Sequence, residues 1–244
     1  MRAVMNLKFF LSLFLLTFSL LPGPSCLGAD KESAAITQKA MDLSNFMSHY
    51  YLKPTPSLVG KAMRDFSDLD ASLKPNASAP FAAFLGILMS KHPDKVPGWI
   101  KEMTFKDQTD RGVICYALWI ANNNVCREQL KVVAQGMEGK RKEAILALVD
   151  KKPDNLKTMP IRTPADLDKL WSAFVASGDR IYVERVMSVL PEINGSGERI
   201  IMGGAAQWSL SANVKQHALV KQICIDELKK HPEYKPFLKD LKLN

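Results

Sequence analysis

The chain contains 244 residues, of which 47% are hydrophobic and 24% charged, and its formal net charge at pH 7 is +8. This hydrophobic fraction is sufficient for a folded core, so the composition excludes an intrinsically disordered protein. The charge is moderate and spread along the chain, with its densest cluster from Lys229 to Lys242. That distribution is typical of a solvated basic face, and we expect no nucleic-acid partner.

The first 28 residues have the features of a secretory signal sequence. Arg2 and Lys8 make the start basic, and residues 9–21 are apolar apart from two serines and one threonine. This run is too short for a transmembrane helix, which needs about 20 residues, but it suits the apolar region of a signal peptide. We therefore predict an exported protein whose mature part has a net charge of about +6 and no transmembrane span.

Two processing routes remain open at the end of this segment. Signal peptidase I could cut after Gly28 or Ala29, since small residues lie around both positions. Alternatively Cys26 could be lipidated, although Gly-Pro-Ser precedes it where a lipoprotein signal prefers a leucine-like residue. The first route predicts a periplasmic protein, and lipidation of Cys26 predicts one associated with the outer membrane.

Apolar residues at steps of three and four predict amphipathic helices through the first half of the mature chain. The first helix carries one stripe and ends before Pro54; the stripe consists of Ile36, Ala40, Leu43, Met47 and Tyr50. Further helices are predicted at 55–66, 76–91, 99–103, 107–120, 124–136 and 139–150. The segment from Asp107 to Asp110 is predicted to cap the helix at 107–120, and Asn122-Asn123-Asn124 is predicted to be the turn after it. The stretch 151–162 has two prolines and few apolar residues, so it is a possible internal boundary within a single domain, 29–244.

The second half begins with a capping box, Thr163-Pro-Ala-Asp166, which opens a helix through Phe174 and Val175. A helix at 179–190 and a loop at 191–197 follow. Residues 198–230 are predicted to be helical with a bend near Gly203-Gly204. Because the part from Trp208 to Cys224 is apolar on most sides, we predict that it is the most buried, central helix. A short helix through Phe237 and Leu241 closes the chain.

These elements predict an all-α fold of about ten helices with short connections. No stretch alternates as a strand does, and no βαβ rhythm is present. Short connections favour antiparallel neighbours, so we expect stacked helical hairpins, either α-solenoid-like or as a compact bundle.

Four motifs resemble a group of uncharacterised exported helical proteins of Gram-negative bacteria. They are Tyr50-Tyr51-x-x-Pro54-x-Pro56, Asn76-Ala77-x-Ala79-Pro80-Phe81, Pro97-x-Trp99 and Gly203-Gly204-Ala205-x-x-Trp208-Ser209-x-x-x-Asn213-x-x-x-His217. The resemblance extends over most of the mature chain. It implies export and a helical fold, and it carries no activity.

The polar residues of the predicted central helix are the candidate catalytic residues, above all His217 and Asn213. A histidine in a polar patch can titrate near neutral pH and act as an acid or base. The same patch can equally be a hydrogen-bonded core network without chemistry. Both interpretations stay open, and the latter is favoured because the chain has no H-E-x-x-H, G-x-S-x-G or S-x-x-K motif.

The cysteines do not indicate a metal site. Cys115, Cys126 and Cys224 remain after processing, and no C-x-x-C pair occurs, so we predict no metal and no cofactor. Three thiols in an oxidising compartment allow one internal disulfide at most. If one forms, we expect it to include Cys224, because Cys115 and Cys126 lie on consecutive predicted helices at levels that need not match.

The sequence thus favours an exported helical binding or scaffold protein, whose partner is another envelope protein or an anionic envelope component. Helical-hairpin arrays usually act by presenting surfaces. The alternative is an envelope enzyme that uses the His217 region.

Overall fold

The computed structural model describes residues 30–239 and 241, with side chains from Thr37 onward. The predicted signal segment, 1–28, and the lipidation candidate Cys26 lie outside the described residues. Over the described part the secondary structure is helical throughout, which confirms the all-α prediction. The described residues divide into two compact units, the first ending at Pro153 and the second beginning at Asp154. This division lies inside the stretch 151–162, and the number of independently folding domains stays a prediction.

The first unit contains seven α-helices in its described part, joined by short turns. They are α1 Asp30–His49, α2 Val59–Ser67, α3 Lys74–Lys91, α4 Val96–Lys101, α5 Gln108–Ala121, α6 Asn124–Gln135 and α7 Gly139–Leu146. Short 3-10 helices at Tyr50–Leu52, Pro56–Leu58 and Pro93–Lys95 precede or follow them. The predicted stripe of α1 is confirmed from Ala40 onward, since Ala40, Leu43 and Met47 are buried.

The centre of the first unit is the packing of α3 against α5. Phe81, Phe84 and Leu88 of α3 are fully buried, as are Ile114 and Leu118 of α5. The two helices approach closely at Gly86, where an added Cβ would lie 2.6 Å from Cγ2 of Ile120 and 3.1 Å from the carbonyl oxygen of Ala117. A side chain at this position would therefore separate the two helices.

A buried ion pair joins the starts of α3 and α5. Asp110 is 0% exposed, and its Oδ1 accepts a hydrogen bond from Nζ of Lys74 at 2.7 Å. Its Oδ2 accepts from the backbone nitrogen of Lys106 at 2.9 Å and from the hydroxyl of Ser67. Asp107 caps α5, as predicted, through its Oδ1, which accepts from the backbone nitrogens of Thr109 and Asp110. The carboxylate of Asp110 is thus buried with donors on both oxygens.

The second unit contains four α-helices in its described part. They are α8 Pro164–Ser177, α9 Ile181–Met187, α10 Glu198–Gln216 and α11 Ala218–Lys230. Residues Leu190–Asn194 and Pro232–Phe237 form 3-10 helices. The predicted capping box is confirmed at the start of α8, where the backbone nitrogen of Thr163 donates to Oδ2 of Asp166 at 3.0 Å. Packing of α10 against α8, α11 and the 190–194 segment forms the core of this unit.

The predicted bend at Gly203-Gly204 is wrong, because α10 continues through both glycines and ends at Gln216. A Cβ at Gly203 would collide with the backbone nitrogen of Ile193, so this glycine allows the 190–194 segment to lie against α10. The chain leaves helical geometry at His217 instead, with φ −126° and ψ 107°.

The prediction of one central buried helix from Trp208 to Cys224 is also wrong. Trp208 is 43% exposed and Leu219 is 36% exposed. Two helices share this sequence, and each buries one face: α10 buries Leu210 and α11 buries Ile223, for example. The apolar residues between Trp208 and Cys224 form two separate stripes, one on each helix. On a single continuous helix the same residues would lie on most sides, which is why the segment was predicted to be buried all round.

None of the helices between residues 30 and 239 is long and apolar enough to cross a membrane.

Candidate functional site

The predicted catalytic residues His217 and Asn213 lie in the core of the second unit. His217 is 1% exposed and Asn213 is 4% exposed. The backbone nitrogen of His217 donates to the carbonyl oxygen of Asn213 at 2.9 Å, which is the last hydrogen bond of α10. The side-chain nitrogen of Asn213 donates to the carbonyl oxygen of Ser209 at 2.9 Å. The structure thus places the two residues next to each other, at the junction of α10 and α11.

An aromatic side chain of α8 packs against the imidazole of His217. The ring of Phe174 meets it edge to face, with centroids 6.1 Å apart, and Trp171 packs edge to face on Phe174. A general acid or base must reach the proton that it transfers, so an imidazole buried against Phe174 meets a substrate only if neighbouring elements move. Its catalytic role stays a prediction.

The three cysteines of the described residues are free, buried thiols. No disulfide links these three residues in this structure, so the expectation that a disulfide, if one forms, includes Cys224 stays a prediction. Burial raises the pKa of Cys115 and Cys224 to about 12 and that of Cys126 to about 11. Because the thiolate is the reactive form, these side chains act as small apolar core residues. Among the described residues, no three His, Cys, Asp or Glu side chains are grouped as ligands of a metal ion.

A cavity of about 560 Å³ in the first unit lies where α5 ends, α6 begins and the chain leaves α7. We call it the basic cleft. Its lining consists of Asn122, Asn124, Arg127, Glu128, Lys131, Val149, Asp150, Lys151 and Lys152. Four of these side chains are cationic and two are anionic, so the cleft carries a formal excess of positive charge.

The turn between α5 and α6 shapes one wall of the cleft. Asn122 ends α5 in the left-handed region, at φ 49°, a conformation that asparagine tolerates better than most residues. Asn123 then caps α6, with its Oδ1 accepting from the backbone nitrogen of Cys126 at 2.9 Å. Arg127 donates to Oδ1 of Asn122 at 3.2 Å and to Oδ1 of Asn124 at 3.3 Å. These bonds hold the guanidinium at the start of α6.

The opposite wall is the segment from Val149 to Lys152. The indole nitrogen of Trp119 donates to the carbonyl oxygen of Lys151 at 2.8 Å, which fixes this segment to α5. Lys131 pairs with Glu128 at 2.9 Å, whereas Lys151 and Lys152 form no ion pair with any described residue. Two ammonium groups are thus left to attract an anion, beside the positive end of the α6 dipole.

Sequence reasoning missed this cleft, although both parts of it were visible. The three consecutive asparagines were predicted as a turn, and Lys151-Lys152 opened the predicted boundary stretch. No local pattern indicated that these two segments, separated in sequence by α6 and α7, line one cavity. The chain matches no protein-family model, no curated protein and no solved structure.

Proposed function

We propose that the protein is an exported helical binding module that holds an anionic group of an envelope partner in the basic cleft. The observation that carries this proposal is the meeting of Arg127, Lys131, Lys151 and Lys152 around one cavity. Phosphate and carboxylate groups are the natural ligands of such a site, because guanidinium and ammonium groups donate charge-assisted hydrogen bonds to them.

The volume and composition of the cleft favour a small anionic headgroup or an acidic side chain of a partner. About 560 Å³ lies within the range of small-ligand sites, and every lining residue except Val149 carries a polar side chain. An enzyme built on His217 receives less support, because that imidazole is enclosed by the core of the second unit.

Export is the part of the proposal that rests on residues 1–28. Intact-mass measurement of the native protein tests it directly. We expect an N-terminus at Asp30, Ala29 or Cys26, and a mass increase matching diacylation would select the lipoprotein route at Cys26. A cytoplasmic species that retains Met1 would contradict export.

Anion binding is tested by titration calorimetry with inorganic pyrophosphate and with citrate as probes. We expect Lys151→Ser/Lys152→Ser to weaken binding by at least about tenfold, because it removes the two cationic side chains of the cleft that pair with no described acid. Binding should also weaken between low and physiological salt, since the site is exposed to solvent.

The matched control is Lys229→Ser/Lys230→Ser on α11, which removes the same charge from another lysine pair. Those lysines contact Asp226 and Glu227, and neither lines the cleft. Equal losses in the two double variants would mean that only net charge matters, and the proposed site would be wrong. The absence of binding by the wild-type protein at low salt would also refute it.

A further inference from the structure

The outer face of α10 carries large apolar side chains that no described part of the chain covers. Ile200 is 47% exposed, Ile201 is 39% exposed and Trp208 is 43% exposed. Positions at steps of three and four complete a single stripe, which we call the α10 outer face. It consists of Ile200, Ile201, Gly204, Trp208, Ser211, Ala212 and Lys215. Its only charged member is Lys215, at one end.

The residues of this face are complementary to themselves when the helix is paired with an antiparallel copy. A two-fold axis at position 206 places Trp208 of one helix opposite Gly204 of the other, since both lie two residues from the axis. A Cβ added at Gly204 would meet nothing within 4 Å, so the space above this glycine is open to a ring. The same axis places Ile201 opposite Ser211 and Ile200 opposite Ala212, which pairs each large side chain with a small one.

Two charged side chains are complementary in the same arrangement: Lys215 at one end of the face and Glu198, which lies beside its other end. Lys215 lies nine residues from the axis and Glu198 eight residues on the other side, so each lysine comes near the glutamate of the other copy. Both side chains are exposed, and neither forms an ion pair with a described residue. No like charges meet along the stripe between them.

We infer that the α10 outer face binds a second copy of this chain, as an antiparallel pair of α10 helices with Trp208 packed over Gly204 of the partner. This inference does not depend on the basic cleft, which lies in the first unit. A lipid surface is less well matched, because a membrane-binding helix usually has several cations on its polar side and large apolar residues throughout its apolar side. Small residues at three positions suit close helix approach instead.

The size of the face sets the strength of the contact. From Ile200 to Lys215 it spans about 22 Å at 1.5 Å per residue, or roughly four helical turns. One pair of such faces lies at or below the low end of stable interfaces, which bury about 1,200–2,000 Å². We therefore expect a reversible dimer with a dissociation constant of about 1–100 μM.

Sedimentation velocity from about 1 to 200 μM, on the purified protein in its natural N-terminal form, tests the inference. We expect concentration-dependent dimers for wild type and monomers for Gly204→Leu, in which the new side chain occupies the place of the partner's Trp208. This variant should remain folded, because the space at Gly204 is open and leucine favours helix. Gly98→Leu is the matched control, since Gly98 is also helical with open space, and it should dimerise as wild type does.

A charge swap supplies an independent readout. Lys215→Glu and Glu198→Lys should each weaken dimerisation by about three- to tenfold, and the double variant should restore most of the loss. Three results would overturn the inference: a wild-type protein that stays monomeric, a Gly204→Leu protein that dimerises normally, or single charge variants that dimerise as well as wild type and the double variant do. Binding of monomeric protein to phosphatidylglycerol vesicles that is strengthened by Gly204→Leu would identify a membrane as the occupant instead.

Discussion

Each unit of this protein has a carboxyl group that is at least partly removed from bulk water, and the two carboxyl groups differ in their hydrogen-bond donors. Asp110 in the first unit is fully buried, with Lys74 on one oxygen and the Lys106 backbone nitrogen and Ser67 hydroxyl on the other. Asp168 in the second unit is partly buried, and no described residue donates a hydrogen bond to its carboxyl. Burial raises the pKa of Asp168 to about 7.

The difference shows that the cost of burying a carboxyl depends on the hydrogen-bond donors around it. Donors on both oxygens of Asp110 replace hydrogen bonds to water that burial removes, whereas no described residue donates to the carboxyl of Asp168, whose pKa burial raises. The cation nearest in sequence does not help, because Lys169 donates to Oδ1 of Asp166 at 3.0 Å. In the first unit the Lys74–Asp110 pair therefore connects α3 to α5. In the second unit Asp168 lowers the free energy of unfolding by an amount that depends on pH.

The largest effect is expected from removing the ammonium group that Asp110 contacts. Lys74→Met keeps the length of the side chain but leaves Asp107 and Asp110 without their shared cation. We expect the free energy of unfolding to fall by about 3–5 kcal/mol, the usual cost of breaking a buried ion pair from one side. Urea denaturation followed by far-UV circular dichroism measures it.

Lys61→Met is the matched control. Lys61 pairs with Asp65 at 2.5 Å, but its side chain is 57% exposed, so the change should cost about 0.5 kcal/mol or less. If the two variants lose equal stability, the buried network around Asp110 does not stabilise the first unit.

A smaller effect, with a defined pH dependence, is expected at Asp168. The unfolded carboxyl titrates near pH 4 and the folded one near 7, so between these values the folded state binds a proton that the unfolded state lacks. The free energy of unfolding therefore falls as pH rises from 4 to 7, and the full cost is present above 7. Asp168→Asn removes this titration. We expect the free energy of unfolding of the variant, measured relative to that of wild type, to rise by about 2–4 kcal/mol from pH 4 to pH 8.

Asp166→Asn, two residues earlier, should have the opposite pH dependence. Burial alone would raise the pKa of Asp166, but hydrogen bonds from the Arg162 and Thr163 backbone and from Lys169 hold it below its ordinary value. Its contribution to stability is therefore present above pH 4 and lost as pH falls, so the substitution should cost about 1 kcal/mol at pH 8 and little at acid pH. Parallel pH profiles for wild type and Asp168→Asn would show that Asp168 titrates normally.

Much of the local structure was predictable because short-range interactions specify it. The caps at Asp107 and Thr163 were correct, since a side chain bonded to a backbone nitrogen two or three residues away needs no distant partner. The turn at the three asparagines was correct for the same reason, since Oδ1 of Asn123 accepts from the backbone nitrogen of Cys126. The break at His217 was missed because no glycine or proline marks it, and the glycines at 203 and 204 suggested a bend where one of them allows close packing.

The sequence by itself determined the helical class, the stripe of α1 and most helix ends, because helix periodicity and capping depend on residues three or four positions apart. Only the tertiary structure decided which of the apolar faces is covered: Trp171 is enclosed by the core, while Trp208 on α10 is left open. It also brought the asparagine turn and Lys151-Lys152 together around one cleft. Burial and cavity shape depend on contacts with residues far away in the chain, and the local spacing of residues does not specify those contacts.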